Sequence, residues 1–541
     1  MKKYDILLLL LFVGSNTQIN SELVGQRPEV PIMVHSQNLG AEVKNEMNKI
    51  SKIVGNITRE FTTTVPIIQG GEALDPQTRA RRNFVKEMMR HAWSGYVAHA
   101  WGKNEVRPVS KSGNLGTVFG SSACGATIVD SMDTLYIMGL EEEFAMGKEW
   151  ISSNLNLTKM TENISVFETN IRYVGGLLSA FAFTGDEMFK TKAVEIVDKL
   201  LPAFSTPTGV PHGKVNMQTG LASSNMVMAV LSEFGTLHME FSYLSDITGD
   251  TIYKEKVEKL RDFLDNKQKL NNLYPNYLNP VTGQWGQNFC SVGAMGDSFY
   301  EYLIKEWLRS GKTDKQAKKM FDEAVTGIEE NLLQISSQGQ TYLADLKGGL
   351  LVHKMDHLAC FAGGMFALAA GEEVDFKRVQ LMKMAEGIAS TCHNSYNNTV
   401  TKLGPEVIRF DNFSTPFDSS YLLRPETVES YFILWRTTKD PKYREWGWKV
   451  VQALEINCKV EGGYSGIRNV NVRKSTDDVQ QSFFLAETLK YLYLLFSEDD
   501  LIDLNQWVFN TEAHPLPVKG ANTFYRAAAG IDRTKILHSE L

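Results

Sequence analysis

A turn of one chemical kind follows an apolar helical run six times along the chain, at Thr184-Gly185-Asp186, Thr248-Gly249-Asp250, Lys312-Thr313-Asp314, Glu373-Val374-Asp375, Lys439-Asp440 and Glu498-Asp499-Asp500. From Asp186 the steps are 64, 64, 61, 65 and 60 residues. Two helical segments fit in each step, and a fixed period of this size is the signature of a repeat architecture. Val129 to Leu135, continuing through Ile151, reads as an earlier and shorter copy, which gives seven helical hairpins. Hairpins of this kind stack into an open solenoid or close into a ring. Closure is favoured, because neither terminal copy looks like a polar cap. The expected fold class is all-α, a toroid of seven helical hairpins.

The stretch Leu423 to Tyr431 shows what each hairpin carries at its entrance. Pro425 suits a first helical position, where its missing N–H costs nothing. Glu426 then falls in the first turn, near the partly positive helix end, and Glu429 shares its face three residues on. Asp130, Glu168, Glu240, Asp297 and Glu487 precede or open other first helices. A single acid there is ordinarily a favourable partner of the helix dipole. Seven at equivalent places, interleaved with Arg172, Arg424, Phe483 and His357, point to a polar pocket with an aromatic wall.

The net charge of −7 leaves no electrostatic footprint for nucleic acid, and none is expected as a partner. At the N-terminus, Lys2 and Lys3 precede the apolar run Ile6 to Val13 and then Gly14-Ser15, the pattern of a secretory signal or short signal anchor over residues 1–15. That run is too short to span a bilayer as it stands, since spanning takes about 20 apolar residues. Residues 16–77 read as a stem, with an amphipathic helix expected over Lys44 to Phe61. Residues 78–517 read as the catalytic part and 518–541 as a C-terminal tail. Sequons at Asn56, Asn156, Asn163, Asn397 and Asn412 agree with a secretory route. Five cysteines, Cys124, Cys290, Cys360, Cys392 and Cys458, leave at least one unpaired and form no zinc pattern.

Six motifs in order carry a resemblance. They are Phe167-Glu168-Thr169-Asn170-Ile171-Arg172, Gly293 to Ser298, His357-Leu358-Ala359-Cys360-Phe361, Leu423-Arg424-Pro425-Glu426, Ser482 to Thr488 and Thr511-Glu512-Ala513-His514-Pro515. Together, over roughly residues 78–517, they resemble the class I α1,2-mannosidases, glycoside hydrolase family 47. The resemblance implies an (α/α)7 barrel that binds Ca2+ and removes α1,2-linked mannose from high-mannose N-glycans with inversion. Inversion needs one carboxyl to protonate the leaving oxygen and one carboxylate to activate water. By the family's pattern Glu168 is the general acid and Glu426 the base, with Asp297 positioning water or sharing the proton role. Thr511 is the implied calcium ligand, through its hydroxyl and its backbone carbonyl. Arg172, Glu240, His357, Arg424, Glu429, Phe483, Glu487 and Glu512 complete the implied mannose pocket, and Cys360 with Cys392 matches the family's disulfide.

Position 295 separates branches of the family. The endoplasmic-reticulum enzymes carry arginine there, whereas Met295 and the stretch Cys360 to Met365 look like the Golgi branch. A smaller, uncharged side chain leaves room for several glycan branches, so trimming of Man9 towards Man5 is expected. The resemblance therefore implies the secretory pathway, in the Golgi lumen, as a type II membrane protein or a soluble luminal form. Two departures stand out: the apolar run is shorter than a Golgi signal anchor, and Val215 to Val230 does not match the usual Golgi loop. Two other classes stay open from sequence, a mannose-binding quality-control lectin of the same family and a helical scaffold without sugar chemistry.

Overall fold

In the computed structural model, residues 70–529 are described, apart from 117, 120–121, 224–227 and 411–417. The expected N-terminal signal, the stem helix, the sequons at Asn56 and Asn412 and the centre of the 215–230 loop lie outside the described residues. Fourteen principal helices carry the architecture. They are α1 (Pro76–Ala100), α2 (Ala126–Ile137), α3 (Glu141–Asn154), α4 (Gly175–Thr184), α5 (Glu187–Leu200), α6 (His238–Thr248) and α7 (Ile252–Asp265). The rest are α8 (Asp297–Arg309), α9 (Lys315–Asn331), α10 (Ala362–Gly371), α11 (Asp375–Asn397), α12 (Glu426–Thr438), α13 (Lys442–Asn457) and α14 (Leu489–Leu495).

The two sets of helices differ in sequence as they differ in place. Every residue of α2 is buried, as is nearly every residue of α6 and α8; helices apolar or paired all round belong inside. In α9 the buried residues are Ala317, Met320, Phe321, Ala324, Val325, Gly327 and Ile328. That i, i+3, i+4 stripe marks an outer helix with one wet face. The inner helices α2, α4, α6, α8, α10, α12 and α14 pack each on the next, and the turn that opens α14 packs back on α2. The ring is closed, and the fold is an (α/α)7 barrel.

The turns that set the repeat work by local chemistry. Gly185 and Gly249 end their helices in the left-handed region, with φ of 69° and 81°, where glycine carries no steric penalty. Asp186 and Asp314 then cap the following outer helices, accepting from the backbone N–H of Met188 and Ala317. Pro425 sits at the cap of α12 rather than at its first helical position, because its own carbonyl accepts from Glu429 N–H at 2.8 Å.

The seventh hairpin departs from the linear reading. After Glu498-Asp499-Asp500 no outer helix follows among the described residues; the partner of α14 is α1, from the other end of the described chain. The Gly71 N–H donates to Asp500 Oδ1 at 2.9 Å, Arg82 Nε donates to Ser497 Oγ at 3.1 Å, and the Glu498 N–H donates to the Gly71 carbonyl. Beyond Pro517 the chain continues along the barrel as far as Tyr525, which is buried and whose hydroxyl accepts from Arg309 at 3.0 Å.

A β-hairpin fills the barrel. Trp507–Phe509 pairs antiparallel with Pro515–Pro517 in the register Phe509↔Pro515, and all six residues are buried against α4 and α8. Room for it is made by glycine: a Cβ on Gly175 would lie 2.4 Å from Asn510 Nδ2. Since Asn510 is pinned by the Ile171 carbonyl and Glu240, Gly175→Ala is expected to cost about 1–3 kcal/mol through overpacking. A urea midpoint equal to that of the parent protein would contradict this.

Candidate active site

Short β-ladders deliver the chain to the first turns of the inner helices. Asn163–Ser165 pairs with Lys214–Asn216 just before Glu168. Lys354–Asp356 pairs with Val407–Arg409 just before His357. In the loops that bear site residues, Met295 (φ 75°), Leu423 (φ 64°) and Ala513 (φ 60°) are among the residues other than glycine that hold a left-handed backbone. Such conformations persist only where the surroundings enforce them. Thr169–Val174 and Phe484–Thr488 are π-helical turns. They re-aim Arg172 and Glu487, and π-turns of this kind recur at functional positions.

Arg172 is the hub of the acid cluster. Its Nε donates to Glu168 Oε2 at 2.8 Å, and its Nη1 donates to Glu512 Oε1, to Asp130 Oδ2 at 3.3 Å and to Ser482 Oγ at 3.1 Å. The guanidinium carbon stands 5.8 Å from the centre of the Phe483 ring, within cation–π range. Burial alone would lower its pKa, but Glu512, Glu168 and Asp130 outweigh that and hold it well above the ordinary value.

On the other side stand Glu426 and its supports. His357 Nδ1 lies 2.5 Å from Glu426 Oε2, and its Nε2 lies 2.6 Å from the Tyr396 hydroxyl. The histidine is buried with both ring nitrogens engaged, so it sits behind Glu426 and fixes its direction. Arg424 Nη1 lies 3.7 Å from Glu426 Oε1 while its Nε donates to Glu406 at 2.7 Å. Burial raises the Glu426 pKa, but His357 and Arg424 reverse the balance and hold it below the ordinary value. Asp297 moves the opposite way. Burial pushes its carboxyl up to about 7, the Ser298 N–H opposes this, and the like charges of Glu301, Glu426 and Asp356 add to it.

Glu240 is fully buried and accepts from Asn170 at 2.9 Å, Tyr302 at 2.6 Å and Asn510 at 2.8 Å. Burial raises its pKa against those three bonds. Glu429, Glu487 and Glu512 are all raised, first by burial; Glu301 and Glu426 add to the rise of Glu429, and Glu512, Glu426 and Glu429 to that of Glu487. Lys305 offers part of the counter-charge, with its ammonium on Glu301 and 3.5 Å from Glu429. Thr511 sits at the tip of the β-hairpin, its backbone amide against the Tyr302 hydroxyl. Met295 is on the rim, 41% exposed, with the Tyr277 hydroxyl donating to its Sδ.

Several site residues carried no pattern in the sequence. Glu105, on a short strand, accepts from Asn114 Nδ2 at 2.9 Å; burial pushes its carboxyl up to about 7, with Arg172 and the Ser482 N–H opposing. His514 bridges Asp130 and Asp133, with Nδ1 2.8 Å from Asp133 Oδ2, and Lys490 Nζ lies 2.8 Å from Asp133 Oδ1. All four side chains are inaccessible to solvent. His514 lay within a motif already singled out, three residues after Thr511, and that nearness was the available signal.

Among the described residues, no group of three or more His, Cys, Asp or Glu side chains is spaced to hold an ion by itself. The surroundings nevertheless fit a hard cation at Thr511. Its hydroxyl and carbonyl are the oxygen donors such an ion takes, water can complete six to eight oxygens, and the crowded carboxylates Glu429, Glu487 and Glu512 need positive charge that Lys305 and Arg172 only partly supply. Cys360 and Cys392 are joined in a disulfide with Cα atoms 6.0 Å apart, and Cys124, Cys290 and Cys458 are free and buried. Among the described residues no helix is long and apolar enough to cross a membrane.

Comparison with known proteins gives one answer. The family model described as glycosyl hydrolase family 47 matches residues 88–518. Mannosyl-oligosaccharide alpha-1,2-mannosidase IA of Drosophila melanogaster is 54% identical over 470 residues, covering 85% of this chain and 70% of the relative. The human mannosyl-oligosaccharide 1,2-alpha-mannosidase IB is 52% identical, with 83% and 72% covered. Among solved structures, an alpha-1,2-mannosidase from Trichoderma reesei superposes with a TM-score of 0.75 at 27% identity, covering 81% of this chain and 99% of its own.

The ion triad around His514 has a pH signature. Burial lowers the imidazole pKa, but Asp133 and Asp130 overcome this and lift it from 6.5 to about 9. Its contribution to stability is therefore fully present below about pH 6.5 and is lost as pH rises through about 9. Urea unfolding across that window is expected to show falling stability in the parent protein and a flatter profile in His514→Gln. Parallel profiles for the two proteins would refute the triad's role.

Proposed function

The chain belongs to glycosyl hydrolase family 47, and we propose that it is a mannosyl-oligosaccharide 1,2-alpha-mannosidase that inverts configuration as it trims terminal α1,2-linked mannose from high-mannose N-glycans, Man9 towards Man5. It is a glycoside hydrolase. The observation that carries the mechanism is the opposite displacement of two neighbouring carboxyls, Glu426 downward and Asp297 up to about 7. Environments that push a pair of acids apart assign the base and the proton holder.

In this reading Glu426, ionised and aimed by His357, accepts a proton from water as that water's oxygen attacks the anomeric carbon. The C–O bond to the neighbouring sugar breaks on the opposite face, and its oxygen takes a proton from a carboxylic acid. Glu168 is that acid, oriented by Arg172. A second reading gives the proton to Asp297, because burial and the like charges of Glu301, Glu426 and Asp356 favour its neutral form. Phe483 offers an apolar face to the sugar ring. Arg172, Glu240, Arg424, Glu429, Glu487 and Glu512 supply the polar contacts, with His357 acting through Glu426. Thr511 holds Ca2+, which when bound supplies a hard cation that orders oxygen ligands, sugar hydroxyls among them. The small, uncharged Met295 at the rim supports breadth over several glycan branches. Residues 1–15 act as signal or short anchor, and the site of action is the secretory pathway, in the Golgi lumen.

Digestion of a Man9 N-glycan, read by product mass, tests the substrate and the metal together. Stepwise loss to Man5 is expected, with arrest on chelation, recovery on added Ca2+, and an earlier stop in Met295→Arg. Binding of the glycan with no loss of mannose under Ca2+ would replace hydrolysis by a lectin role.

The proton assignment has its own measurement. Glu426→Gln is expected to fold and lose turnover by on the order of 10²-fold or more, the scale of general acid–base catalysis. If Asp297 holds the proton, kcat/KM falls as pH rises through about 7. That limb vanishes in Asp297→Asn and survives at lower rate in Glu168→Gln. The reverse outcome returns the role to Glu168.

A further inference from the structure

On the outside of the barrel, between α11 and α13, lies a groove of about 720 Å³ that the acid cluster does not use. Its floor is apolar and aromatic, with Trp446 and Trp448 on α13 and Tyr396 on α11. Val400 and Ile456 line it while 51% and 56% exposed, and Lys402, Lys449 and Arg473 stand around it. One of its lining residues is Asn397, the last residue of α11 and the first of the sequon Asn397-Asn398-Thr399.

The asparagine is held in a defined direction. Its Nδ2 donates to His393 Nε2 at 2.7 Å, and His393 lies flat on Trp446 with ring centres 3.9 Å apart and planes 9° from parallel. Burial holds the His393 pKa down at about 4, so the ring is neutral at physiological pH. Its Nε2 is then an acceptor and its Nδ1–H donates to the Tyr431 hydroxyl at 2.9 Å. An amide nitrogen has two hydrogens, and only one is needed for His393. The other position is available for a substituent, beside the groove that Asn397 lines.

We propose that Asn397 carries an N-linked oligosaccharide whose inner amino-sugar residues lie in this groove, packed on Trp446 and Trp448. Attachment forms a bond from Nδ2 to C1 of the first sugar and breaks that carbon's bond to the pyrophosphate of a lipid-linked donor, while Nδ2 gives up one proton. The remaining N–H keeps its bond to His393. The C–H faces of the sugars cover indole surface, and the lysines and Arg473 donate to their hydroxyls and acetamido carbonyls. Asn156 is the contrast: it is exposed, it caps a short turn at Leu157–Lys159 through its Oδ1, and it is not among the residues that line the groove.

The proposal rests on entry of the chain into the secretory route, which occupancy of Asn156 reports separately. The full-length protein is expressed in a secreting eukaryotic host, and sugar release by a peptide amidase is followed by glycopeptide mass spectrometry at Asn397 and Asn156, native and unfolded. Native release at Asn397 is expected to be at least about tenfold slower than at Asn156, because it waits on local opening, and equal to it after unfolding. Ile456→Asp, at an exposed position, and Trp446→Ala are expected to bring the native rates together. An unmodified Asn397 beside an occupied Asn156, or equal native release at both, would overturn the proposal. Equal release accompanied by self-association of the chain would assign the groove to a second copy instead.

Discussion

The guanidinium of Arg172 is the charge around which the acid-lined end of the barrel is assembled. It meets Glu168, Asp130 and Glu512, and so joins α2, the segment that opens α4 and the β-hairpin that fills the ring. A planar fork with five donors serves several carboxylates at once, which an ammonium cannot do in fixed directions. Removing one partner of such a buried set leaves the others uncompensated, typically at about 3–5 kcal/mol. The cluster is thus conditionally stable: each acid tolerates burial because the same cation is shared with its neighbours.

Closure of the ring determines where those charges can be. Seven inner helices bring their first turns to one end, and the β-hairpin enters the space they enclose, so its tip residues Asn510 to His514 reach helices far apart in sequence. Asn510 bonds Glu240, Glu512 bonds Arg172, and His514 bonds Asp133. The seam of the ring lies between α1 and α14, where Arg82 and Gly71 hold the turn at Ser497 to Asp500. His514 and Lys490 fasten the last inner helix and the β-hairpin to α2 close to that seam. The two ends of the described chain, which make the ring finite, also lock its filling in place.

What could be read from sequence was what is decided locally. The turns at Asp186 and Asp314 were legible because an N-cap and a left-handed residue act within a few positions, and the outer helices showed their stripes. Glu426 and Glu429 were placed in a first turn, where they are. The partner of α14 was not legible, since it is set by a contact across some 400 residues that no period encodes. The π-turns at Arg172 and Glu487 depend on how the helix meets its neighbours. Glu105 and Asp133 had no helix-entrance pattern to mark them, and resemblance named the pocket without showing that His357 faces Glu426 with both nitrogens engaged.

The same crowding that makes the site costly to build gives it two protonation states at neutral pH. A carboxyl alone in a low-dielectric site rises in pKa, and one beside a cation falls. Here the two effects are distributed unequally over one small volume. His357 and Arg424 are spent on Glu426, Arg172 on Glu168, Asp130 and Glu512, and Lys305 on Glu301 and Glu429. Asp297 accepts from the Ser298 N–H and hydroxyl but stands near Glu301, Glu426 and Asp356, so burial and like charge favour its neutral form. Carboxyl displacements of opposite sign therefore arise from the allocation of a few cations among many acids. A divalent ion at Thr511 would extend that allocation to Glu487, whose neighbours are chiefly other carboxylates.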